Sequence, residues 1–218
     1  MAAAGKREPM VRQRARICFC KRGDLRLIGH RDLARSLERL FRRAGLRLEM
    51  SQGFHPKPRM SFPSALALGI EGRSEVMELE LAESASAEDL HKRLAAHAVP
   101  GLSFQSVQIL APGTKKAQLR SATYEMPIPA ERCGETAGRI RRLMAAAACP
   151  VERSGGGPAV DVRPFLEELT LQDGALRMRL LASRQRSAGP RDVLAALGLS
   201  DLELEGFPLA RTAVELHS

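Results

Sequence analysis

The order in which strand and helix patterns succeed one another most constrains what this 218-residue chain can fold into. Beyond Arg14, apolar Ala15, Ile17 and Phe19 alternate with Arg16, Cys18 and Cys20, the period-two signature of a strand over residues 14–28. Gly23-Asp24 turns this stretch into a hairpin or bulges it. Over residues 31–44 the period lengthens to that of a helix. Leu33, Leu37, Leu40, Phe41 and Ala44 form one apolar stripe, and Gly45 is a natural stop. A short strand over 46–50 leads into a polar loop over 51–59, and residues 60–68 and 74–81 read as extended. Glu78 and Glu80 alternate there with Met77, Leu79 and Leu81, which predicts that both carboxylates face solvent. Ser84 or Ser86 caps a second helix over 87–98, which Pro100-Gly101 ends, and residues 104–110 close the unit. The result is β-α-β-β-α-β, the ferredoxin-like order.

The same order recurs after a connector. Residues 122–128 read as a strand and 131–147 as a helix with apolar Ala137, Ile140, Leu143 and Met144. The Gly155-Gly156-Gly157-Pro158 turn separates extended pieces at 151–153 and 159–171. Asp173-Gly174 then folds 175–181 back as a hairpin. Pro190 opens a helix over 191–197 with Gly198 past its end, and 202–216 supplies one or two final strands. The expectation is an α+β protein of two tandem ferredoxin-like (βαββαβ) halves, the second degenerate. Its divisions are a disordered leader over 1–11, a first domain over 12–111, a connector over 112–121 and a second domain over 122–218. The chain is long enough for two such cores.

Charge is distributed unevenly over this frame. Up to Arg59 the chain carries 16 Lys and Arg against 5 Asp and Glu, whereas the whole carries 34 against 25. The excess of positive charge therefore belongs to the first quarter, and a local positive field favours a polyanionic partner: RNA, a ribonucleoprotein or an acidic protein surface. No apolar run is long enough to span a bilayer, and the N-terminal residues lack the apolar core of a signal peptide. A cytoplasmic protein away from membranes is expected. Cys18, Cys20, Cys133 and Cys149 form no CxxC and no zinc spacing, so they read as buried reduced thiols, and no metal or cofactor is expected.

Two short polar motifs within the basic quarter hold the candidate site residues. Arg22, Arg26, His30 and Arg31 lie where the first strand gives way to the helix; Gln52, Phe54, His55, Lys57 and Arg59 lie in the loop. Pro56 and Pro58 stiffen that loop, which would hold Lys57 and Arg59 ready for an anion and offer Phe54 for stacking on a base, unless Phe54 belongs to the core. Arg35, Arg39, Arg42 and Arg43 face away from the apolar stripe; Glu38 and Arg42 are spaced to pair. No Ser/His/Asp set, phosphate-binding glycine loop or paired catalytic carboxylates can be assigned. No catalytic residue is therefore assigned; were the chain an enzyme, His30 and His55 would be its acid and base.

The residues Lys21-Arg22-Gly23-Asp24-Leu25-Arg26, Gly29-His30-Arg31-Asp32-Leu33, Arg42-Arg43-Ala44-Gly45-Leu46 and the loop Ser51 to Arg59 resemble the radical-SAM-linked bacterial proteins of unknown function. That domain occurs as a small separate protein or fused C-terminally to a radical SAM protein. The resemblance is concentrated in residues 12–85, and Pro190-Arg191-Asp192-Val193-Leu194 looks like the family's last helix start. Relatives typically read Ser-His-Leu-Asp where this chain has Gly29-His30-Arg31-Asp32, so an apolar residue is exchanged for another arginine. The resemblance implies a radical SAM protein as partner and no established reaction. This chain lacks the CxxxCxxC that holds such an enzyme's iron–sulfur cluster, so it would be the accessory half.

The readings in play are therefore a non-catalytic accessory protein that contacts RNA or a ribonucleoprotein, a metal-independent RNA-processing or RNA-modifying enzyme, and a protein-only adaptor. The double ferredoxin-like order also looks like that of CRISPR repeat-processing endoribonucleases, a likeness of fold alone.

Overall fold

A computed structural model describes residues 13–153, 157–183 and 188–217. The expected leader and part of the 155–158 turn lie outside the described residues. The chain is mixed α+β, with sheet and four α-helices among the described residues, and divides into two compact units. Among the described residues, the first comprises 13–68 and 75–117, the second 69–74, 118–153, 157–183 and 188–217.

In the first unit, β1 (Gln13–Lys21) precedes a 3-10 helix (Gly23–Leu27) and α1 (His30–Arg43). The short β2 (Met60–Ser61) follows, then β3 (Glu71–Leu81), whose residues from Glu75 belong here, α2 (Ala87–Ala96) and β4 (Leu102–Leu110). β1 lies between β4 and β3, and β2 pairs antiparallel with β3 through Met60↔Leu79 and Ser61↔Glu78. One core joins Ile17 and Phe19 of β1, Leu33, Leu37 and Phe41 of α1, Met77 and Leu79 of β3, and Leu90 and Leu94 of α2. The apolar stripe of α1 is thus its buried face, while Arg35, Arg39, Arg42 and Arg43 are exposed. Gly45 N–H donates to the Arg42 carbonyl and Leu46 N–H to that of Phe41. Arg93 of α2 donates to the Ala44 and Gly45 carbonyls, so the last turn of α1 is capped from two sides. Ser86 caps α2 by accepting from Asp89 N–H at 3.1 Å.

In the second unit come β5 (Leu119–Pro127), α3 (Ala130–Ala145), β6 (Pro150–Val151), β7 (Val160–Asp161), β8 (Leu166–Gln172), β9 (Ala175–Leu181), α4 (Pro190–Ala196) and β10 (Ala210–Leu216). The strands run β10-β5-β9-β8, all antiparallel, and β10 also pairs parallel with the start of β3 through Ala210↔Glu71 and Arg211↔Gly72. α3 packs on β8.

Several local expectations are corrected. The strand over 14–28 ends at Lys21, because the fully buried Lys21 ammonium donates to the Ile28 carbonyl at 2.8 Å and to that of Arg26 at 3.4 Å. Gathering those two acceptors curls residues 23–27 into the 3-10 turn instead of a hairpin or bulge. Residues 46–50 hold only isolated bridges, Leu48↔Leu81 and Met50↔Pro58, and of 60–68 only β2 is strand. Pro63 ends the ladder by lacking a donor. Residues 159–171 break at Pro164, which opens a 3-10 turn (Arg163–Phe165) between β7 and β8. Cys20 is buried, but Cys18, Cys133 and Cys149 are half-buried. Cys18 and Cys20 also differ from strict alternation, since the β1/β4 register shifts between Cys18 and Phe19. Glu78 does not face solvent: it is 2 % exposed and bound to arginines of β1.

Candidate functional site

The loop after residue 50 is built as a closed hairpin tip. Ser51 N–H donates to the Lys57 carbonyl at 2.8 Å, and Ser51 Oγ accepts from Lys57 N–H at 3.0 Å. Met50 bridges Pro58, and Arg59 N–H donates to the Glu49 carbonyl at 2.8 Å. Three residues of backbone are thereby pinned on either side of the tip, 49–51 and 57–59, and Gly53, at φ +124°, makes the reversal that a side chain would strain. Gln52, Phe54, His55 and Lys57 project from it into solvent. Phe54 is fully exposed, at 102 %, so it is not a core residue.

Beside the tip lies the start of α1. His30 is the first helical residue and is half-buried, its ring meeting Phe62 edge to face with centroids 4.8 Å apart. Phe62 in turn stands edge-on to Phe19, 6.4 Å away, which ties the His30 ring to the core. His30, Arg31, Arg35 and Lys57 line one pocket of about 360 Å³, with Glu38, Met60 and Phe62 among its other walls. The two sequence motifs therefore converge, but through His30 and Lys57. His55, Gln52 and Phe54 are not in that pocket; they stand on the exposed tip.

The remaining candidates serve the frame as well as the surface. Arg22 is exposed, and its N–H donates to the Gly101 carbonyl at 2.8 Å. Arg26 is half-buried, its guanidinium near the Gly23 carbonyl and its own carbonyl held by Lys21. Arg59 is half-buried, donating Nε to the Met50 carbonyl and lying 3.4 Å from Glu80. It secures the loop base and contributes charge from a fixed position.

Both units carry ion pairs; in the first, Arg16 holds Glu78, Arg59 lies near Glu80 and Arg93 holds Glu83. In the second, Arg120 and Arg179 hold Glu215 and Glu167, Arg132 holds Asp201, Arg139 holds Glu135, Arg153 holds Asp192 and Arg191 holds Glu203. These pairs keep the Glu215 and Asp201 carboxyls below the ordinary carboxylate range. For Glu215 the Ser121 hydroxyl and Arg120 dominate; for Asp201, the Arg132 hydrogen bond does. In the first unit Arg22, Arg31, Arg39, Arg42, Arg43 and Lys57 make no ion pair among the described residues. Glu38 does not pair with Arg42, and Arg35 lies 3.7 Å from Asp32. The positive surplus of the sequence is therefore uncommitted charge around α1 and the loop.

The surface combines an exposed aromatic, uncommitted cations and an imidazole whose ring makes no hydrogen bond among the described residues. Such a set can stack on a planar group and neutralise phosphate. Among the described residues, no three His, Cys, Asp or Glu side chains gather as a metal site, and no helix is long and apolar enough to cross a membrane. Sequence reasoning missed Lys21 and Glu78, whose burial depends on partners distant in the chain.

Residues 14–190 match a family model described as an uncharacterized protein conserved in bacteria (DUF2344). No curated protein matches the chain. A crystal structure of an unknown protein from Galdieria sulphuraria is similar over 95 % of this chain and 100 % of that one, at 13 % identity and a TM-score of 0.28.

Proposed function

The chain belongs to that uncharacterized bacterial family, and from this premise we propose that it is a non-catalytic accessory protein of the cytoplasm that binds RNA, free or within a ribonucleoprotein, for a radical SAM enzyme. The observation that carries the RNA reading is the pinned loop tip. It offers a fully exposed Phe54 beside Lys57, next to the uncommitted Arg31 and the His30 pocket. Bases unstacked from single strands and loops take aromatic platforms flanked by cations, and a stiff platform loses little entropy on binding.

A contact role for His30 is favoured over proton transfer. Its ring is positioned by packing against Phe62 and, among the described residues, has no acceptor to set its tautomer. His55, exposed at the tip, is likewise read as a contact. The radical SAM partner rests on the resemblance of residues 12–85 to proteins linked with such enzymes. Two ferredoxin-like halves are part of the same proposal, supported by the strand orders β4-β1-β3 with β2 on β3, and β10-β5-β9-β8.

Ultraviolet crosslinking in native cell extract tests this reading. The expected result is RNA adducts on the peptide spanning residues 54–59 and co-purification of a radical SAM protein. Adducts absent from that peptide would overturn the assigned surface. Co-purification of a protein partner without any RNA, unaffected by nuclease, would replace the RNA reading by a protein adaptor.

A further inference from the structure

A second pocket lies on the other side of the same loop and is built around a carboxylate with an unmet requirement. Ile17 and Leu79 point into the core of the first unit, so Arg16 and Glu78, one position along their strands, point to the opposite face of the sheet. Glu78 is buried there, its side chain 2 % exposed. Arg16 donates both Nε and Nη2 to Oε1, at 3.2 and 2.9 Å. Oε2 has no hydrogen-bond partner among the described residues; Arg14 Nε stands 3.8 Å from it, beyond bonding distance. Arg14 is held elsewhere, donating to the Thr114 and Lys115 carbonyls. A buried acceptor left without a donor is costly, and native proteins rarely leave one without a purpose.

Glu78 lines a pocket of about 250 Å³ shared with Arg14, Ser51, Arg59, Ser61 and Lys116. The missing partner must be a hydrogen-bond donor. An ammonium group would be repelled by Arg14, Arg16, Arg59 and Lys116, which outnumber the carboxylates Glu78 and Glu80. A neutral hydroxyl is not repelled, and the surplus cations suit an anion attached to it. The volume is below the about 300–1,000 Å³ of pockets that hold whole drug-sized ligands, and suits a sugar with its phosphate. Met60 lines both this pocket and that of His30, so a strand crossing the loop can reach both.

We propose that this pocket is a ribose-phosphate subsite in which Glu78 Oε2 accepts a hydrogen bond from an RNA 2′-hydroxyl while Arg59 and Lys116 hold the adjacent phosphate. The proposal rests on the RNA reading above and adds to it the group by which RNA is told from DNA. Lys116 is a long, flexible wall of the pocket, and movement of its stem would admit the incoming hydroxyl to Oε2. Deoxyribose leaves Oε2 unsatisfied, and a 2′-O-methyl group removes the donor and adds bulk.

The test is fluorescence anisotropy of the full chain with one labelled single-stranded sequence made as RNA, as DNA with deoxyuridine, and as 2′-O-methyl RNA. The expected result is RNA bound about tenfold more tightly than either analogue, with that ratio falling to about one in Ser61→Leu, which fills the pocket without removing a Glu78 contact. Ser61→Val is the milder filling variant should the leucine impair folding. Equal binding of the three oligonucleotides by the wild-type chain would overturn the proposal while leaving nucleic-acid binding intact. A preference for RNA that persists in both Ser61 variants would also overturn it. Failure to bind any of the three would overturn the RNA reading and this proposal together.

Discussion

Ser51 and Lys57 bond each other twice, backbone to backbone at 2.8 Å and Ser51 Oγ to Lys57 N–H at 3.0 Å. This pair turns the five intervening residues, 52–56, into a fixed platform. Ser51→Ala removes one of the two bonds, worth about 1 kcal/mol locally. Because the loop is exposed, global stability is expected to change little, whereas RNA affinity falls about three- to fivefold. Thermal unfolding and anisotropy measured on the same preparation check both halves of this expectation.

Phe54 contributes nothing to the core, so its truncation isolates the surface role. Phe54→Ala is expected to leave the unfolding midpoint unchanged and to weaken RNA binding by about 1–3 kcal/mol, the usual cost of deleting one stacking aromatic. Phe54→Trp keeps a π-face and is expected to retain affinity. Equal losses in both variants would show that shape, not stacking, is read.

Gly101 tests how the basic turn is positioned. Its φ is +82°, and a Cβ there would stand 2.5 Å from the Arg22 carbonyl oxygen, while its own carbonyl accepts from Arg22 N–H. Gly101→Ala must therefore strain a left-handed residue and push β4 from the end of β1. A destabilisation of at least about 1–2 kcal/mol is expected, read as a lowered denaturant midpoint.

Acid sensitivity should arise in the second unit. Glu215 is held ionised by the Ser121 hydroxyl and Arg120, with Arg179 adding to the attraction, so its folded pKa lies below its unfolded value. The unfolded chain then binds more protons between the two values, so the contribution is full above the unfolded pKa and is lost as pH falls through the folded one. Glu215→Gln is expected to lower the unfolding temperature at neutral pH, with the gap to wild type closing in acid. A gap that is constant from pH 7 to pH 3 would contradict the assignment.

Periodicity carried much of this fold, and its failures have physical causes. The stripe Leu33, Leu37, Leu40, Phe41 lies within α1 and is buried, and Ser86 caps α2, because these depend on neighbours within a turn or two. The turn at residues 23–27 was not legible, since it depends on Lys21 being buried and spending its ammonium on backbone carbonyls. Glu78 was misread for a similar reason. Alternation places it opposite the core, but arginines 62 and 64 positions earlier bring it into a buried ion pair there. In the site, local sequence marked His30 and Lys57 separately. Their convergence on one pocket depends on tertiary placement of the loop beside α1, and nothing in the spacing indicated that His55 stands outside it.

The central claim, that phosphate contacts around α1 and the loop bind RNA, is tested most directly by the salt dependence of affinity for single-stranded RNA. The logarithm of the binding constant should fall linearly with the logarithm of salt concentration, and Lys57→Ala and Arg31→Ala should each reduce the slope by about 0.7, one phosphate's worth on a single strand. Binding that does not respond to salt, or a slope unchanged in both variants, would contradict it.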